Sequence, residues 1–92
     1  MTDELKAQRG LSAKAVLENP AYTDAYQTIE DGLVAKWKAA GTPEEREDCH
    51  RMLRVLAKFH TVLDSTMRSG KLAEDVIRHK QSFADKLLKR AG

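Results

Sequence analysis

The segment Gly41-Thr42-Pro43-Glu44-Glu45 constrains this chain more than any other. Gly41 reads as a left-handed C-terminal cap and Thr42 as an N-cap. Pro43 suits the first helical position, and Glu45, three residues after Thr42, completes a capping box. One helix therefore stops and another starts within one or two residues. So short a connection leaves the chain no room to travel, which makes its flanking helices antiparallel neighbours. The prediction is an all-α fold built on an antiparallel helical hairpin with residues 20–40 and 43–69 as its arms.

Apolar spacing supports both arms. Tyr22, Tyr26, Ile29, Leu33, Trp37 and Ala40 recur at steps of three and four, as one helical face requires. Gly32 interrupts that arm at a cost of about 1 kcal/mol relative to alanine. In the second arm Cys49, Met52, Leu53, Leu56, Phe59 or His60, Leu63 and Met67 form one stripe, widened by Val55 and Val62. Ser69-Gly70 is expected to end it. Asn19 as an N-cap and Pro20 at the first helical position begin the first arm and end a short preceding helix over residues 11–18. Residues 1–10 are expected to be a flexible N-terminus, and residues 71–92 a basic amphipathic helix with Leu72, Val76, Phe83, Leu87 and Leu88 on its apolar face. At 1.5 Å per residue the arms measure roughly 30 and 40 Å. The excess turns of the second arm need cover, for which the C-terminal helix is the expected element.

Ninety-two residues make one domain, 1–92, with a thin core. Sixteen Lys and Arg against fourteen Asp and Glu leave +2, too little for a global field that demands a polyanion. Residues 71–92 alone carry six basic and three acidic side chains. A single cysteine, Cys49, excludes an intrachain disulfide and suits a reducing compartment. No apolar run reaches the ~18 residues of a membrane span, and the acidic start Met1-Thr2-Asp3-Glu4 lacks a signal region. A cytoplasmic protein with no membrane association is expected.

The chemistry-bearing residues do not assemble into a catalytic or metal-binding pattern. Cys49 and His50 are adjacent and point about 100° apart on a helix. No His-x-x-x-His or Cys-x-x-Cys spacing joins His50, His60 and His79, so no metal is expected. Cys49 lies on the apolar stripe, where a packing role outweighs a nucleophilic one. Carboxylate pairs such as Glu30-Asp31 and Glu44-Glu45 sit among basic neighbours as a solvated face would. No glycine loop cradles a phosphate, and the chain reads as a non-enzyme without cofactors. Two surfaces remain. Tyr22, Tyr26, Trp37, Leu56, Phe59 and Leu63 are candidates for a seam or subunit interface. Arg78, Lys80, Lys86, Lys89 and Arg90 are candidates for phosphate contact, weighed against a cation-rich helix end answering its own dipole.

The elements Leu17-Glu18-Asn19-Pro20, Ala25-Tyr26, Trp37-Lys38, Arg46-Glu47, Leu56, Leu63 and Gly70-Lys71-Leu72-Ala73 resemble small helical proteins of tailed bacteriophages and prophages, encoded near head and portal genes. The resemblance covers residues 16–74 and carries over no catalytic or binding residue. It implies a virion-assembly or capsid-associated accessory in the host cytoplasm or the virion, contacting phage structural or host proteins. Homo-oligomerisation is expected separately, from the flanks of the broad apolar stripe that a two-helix seam leaves wet. A DNA-binding packaging or regulatory protein using the basic C-terminal helix is the first alternative. A host-directed anti-defence protein is the second.

Overall fold

The computed structural model describes residues 1–91, which form three helices: α1 (Asp3–Leu17), α2 (Pro20–Ala39) and α3 (Pro43–Ala91). The fold is all-helical, with no strand among the described residues. Each helix start has a local cause. The Thr2 hydroxyl accepts from the Leu5 N–H at 3.2 Å, and the Asn19 carboxamide oxygen accepts from the Ala21 N–H at 2.8 Å. Thr42 accepts from the Glu45 N–H at 3.2 Å, while the Glu45 carboxylate reaches back to the Gly41 N–H at 3.0 Å. That return bond lands one residue before the cap itself, so Gly41 and Thr42 are tied down together. The expected left-handed cap at Gly41 is absent, for no described glycine has a positive φ; α2 ends instead with Ala40 extended at φ −59°, ψ 130°.

The α3 helix runs 49 residues without interruption and sets the 76 Å length of the molecule. Along it the partners descend as the chain ascends. Asp3 meets Lys80 at 3.6 Å, Gly10 lies on Gly70, the Tyr22 hydroxyl is 3.3 Å from His60 Nδ1, and Ala40 shares a groove with Cys49. The α1 and α2 helices therefore lie end to end on α3 and run against it, α2 on its N-terminal part and α1 on its middle.

Three expectations are corrected here. The helix does not stop at Gly70, because that glycine serves as a contact: a β-carbon built on it would stand 2.5 Å from the Gly10 Cα and 3.0 Å from the Lys6 carbonyl oxygen. The first helix begins at Asp3 instead of near residue 11, so most of residues 1–10, expected as a flexible terminus, lie in α1. Cover for the excess turns of α3 comes from α1 and not from the expected C-terminal helix, whose described residues 71–91 continue α3 itself.

The core is correspondingly unusual. The buried apolar side chains among the described residues are Ala7, Ala13 and Ala73, flanking the Gly10–Gly70 crossing. Small side chains at three-residue steps on α1 let two backbones touch, so dispersion between main chains replaces interdigitated Leu and Phe there. Among the described residues no large side chain is fully buried.

Candidate protein-interaction surface

Around Tyr22 the two longer helices meet through aromatic rings. Its ring centroid is 6.1 Å from Tyr26, 6.3 Å from Phe59 and 6.3 Å from the stacked imidazole of His60, and Tyr26 is 5.4 Å from His60. These separations suit offset or tilted ring contacts. Partial burial, followed by the nearby Tyr26 hydroxyl, pushes the Tyr22 phenol above its ordinary value of 10.0. Of the six candidate interface residues, Tyr22, Tyr26, Leu56 and Leu63 are half-buried. Trp37 and Phe59 stay 45% and 58% exposed, so the structure divides the set between the helix seam and the outer surface.

The single broad stripe read along residues 49–67 resolves into two rows. Cys49, Leu53, Leu56, Leu63 and Met67 are half-buried beneath α2 and α1, and Ile77 continues them. One position earlier in each step lies a second row of Met52, Val55, Phe59 and Val62, continued by Val76, Phe83 and Leu87, all exposed. Between α2 and α3 this row borders an open apolar groove of about 530 Å³ lined by Ile29, Leu33, Met52, Val55, Leu56 and Phe59, with Arg51 at its rim. On the other flank of the seam, Arg54, Thr61, Asp64, Arg68, Lys71 and Asp75 present a polar face.

The basic candidates are also divided. Arg78 donates to Asp75 at 2.9 Å and Lys80 pairs with Asp3, whereas Lys86, Lys89 and Arg90 have no ion pair among the described residues. Neither α1 nor α2 reaches that end of α3, and every residue from Arg78 to Arg90 is exposed. Among the described residues no three His, Cys, Asp or Glu side chains converge as a metal site would require. Cys49 is half-buried in the seam and His50 is exposed beside it. No described helix is long and apolar enough to cross a membrane.

The small-residue crossing escaped sequence reading. Its one signal is the spacing of Ala7, Gly10 and Ala13 opposite Gly70 and Ala73, which hydrophobic periodicity does not detect. No protein-family model, curated protein or solved structure matches this chain.

Proposed function

We propose that the protein is a non-enzymatic helical module that works by self-association and protein–protein contact, with α2 and the first half of α3 as an amphipathic antiparallel hairpin. The observation that carries this reading is surface area. The chain exposes 7285 Å², about 1,900 Å² more than the ~5,400 Å² typical of a compact monomer of 10.3 kDa. Seven of the fifteen exposed large apolar side chains among the described residues lie on one row of α3. A stable interface removes about 800 Å² from each partner, well within that excess. Sedimentation and light scattering at tens of micromolar should give a multiple of 10.3 kDa. A strict monomer throughout that range defeats the reading. The setting as a virion-assembly or capsid-associated accessory rests on the phage resemblance, and mass spectrometry of purified particles tests it.

A second reading, DNA binding through the end of α3, is favoured by the uncovered Lys86, Lys89 and Arg90. Three phosphate contacts would give a log–log salt slope of roughly −2.7 for duplex DNA. Absence of binding at 50 mM salt eliminates it.

A further inference from the structure

The charge order along the exposed row points to a particular partner and orientation. Asp48 stands at one end of the row and Arg90 at the other, with Met52 following the acid and Leu87 preceding the base. Val55 and Phe83 come next, then Phe59 and Lys80, then Val62 and Val76. At the centre the row narrows to Thr66, Ser69 and Ala73, of which Ala73 is buried against its own fold. Each member of a pair lies the same distance from Ser69 to within one residue, so the row reads nearly alike from either end except in charge.

We infer that this row is the face of an isologous antiparallel dimer, in which a second copy lays its α3 across the first with Ser69 near the two-fold axis. The inference rests on the self-association reading and adds the partner and the geometry. Rotation by 180° brings large apolar groups onto large ones: Met52 onto Leu87, Val55 onto Phe83 and Val62 onto Val76. The aliphatic stem of Lys80, whose ammonium stays with Asp3, crosses Phe59. A two-fold interface requires such self-complementarity, because each residue of the patch must find a partner within the same patch.

Orientation follows from charge. An antiparallel pair sets Asp48 against Arg90 at both ends, whereas a parallel pair sets Asp48 on Asp48, Lys80 on Lys80 and Arg90 on Arg90. Like charges so placed oppose association. The wider ends agree, since Glu44, Glu45, Glu47 and Asp48 crowd the start of α3 and Lys86, Lys89 and Arg90 its end. The overhanging end of one copy, carrying Phe83 and Leu87, then meets the Met52–Val55 side of the open groove beneath Ile29 in the other. Two surfaces left bare in the single chain cover one another.

The test uses full-length chains carrying Cys49→Ala, with Val55→Cys on one preparation and Phe83→Cys on another. After mixing and mild oxidation, mixed disulfide dimers should dominate, with little disulfide in either preparation alone. Predominant Val55→Cys homodimers mean a parallel pair and overturn the inference while leaving self-association standing. A dimeric mass without any disulfide shows that the row is not the interface, and overturns it equally. A monomeric mass removes self-association itself. Charge reversal supplies an independent arm: Asp48→Arg should weaken dimerisation at least about threefold, and adding Arg90→Asp to the same chain should restore it. A double variant no better than the single one contradicts the antiparallel pairing.

Discussion

Three glycines within helices carry opposite expectations. Gly32 has nothing within 4 Å of the place a β-carbon would occupy. Gly32→Ala should therefore return the helix-propensity cost and stabilise the protein by up to about 1 kcal/mol. Gly70 meets the Gly10 backbone, which cannot swing aside as a side chain can. Gly70→Ala must spread two helices, and overpacking of that kind costs about 1–3 kcal/mol, more than the propensity gained. Thermal unfolding should show the melting temperature rising for the first variant and falling for the second. Tyr22 gives a further prediction at this scale. Because its phenol is held neutral above the ordinary range, its contribution is complete below pH 10.0 and is lost as pH climbs through the raised folded value. The phenolate absorbance difference between wild type and Tyr22→Phe should have its midpoint above pH 10.0.

At the scale of the elements, continuity of α3 is the feature most open to direct measurement. Spin labels at His50 and Lys86 are 36 residues apart on one helix. Diluted with unlabelled protein, they should report a separation of about 54 Å, and a break at Gly70 would shorten it. The turn at Gly41–Thr42 is legible in the sequence because caps are local chemistry: a hydroxyl, a proline and a carboxylate at fixed offsets. The role of Gly70 is not legible, since a glycine that ends a helix and a glycine that admits another backbone are the same residue in the same kind of context. Only Gly10, sixty positions away, distinguishes the two. The candidate surface is half-legible for a related reason. Leu56 and Phe59 belong to one stripe by periodicity, yet α2 half-covers the first and leaves the second 58% exposed, and no spacing rule says which edge of a stripe a neighbour will take.

The whole molecule is a rod, with a Cα radius of gyration of 20.9 Å against about 12 Å for a compact chain of this length. Antiparallel pairing about Ser69 doubles the mass while barely lengthening the particle. Small-angle scattering should therefore give a maximum dimension close to the 76 Å of one chain, whereas end-to-end association would bring it to roughly 150 Å by adding a second rod of the same rise. The Gly10–Gly70 crossing also fixes an order of events. During synthesis α1 is made before α3, and a helix of 15 residues is marginal alone in water. Its docking site lies beyond Leu63, so α1 waits while α2 and the start of α3 are completed and closes a loop of some sixty residues when it docks. The three helices are thus expected to assemble from the α2–α3 turn outward, with α1 the last to settle.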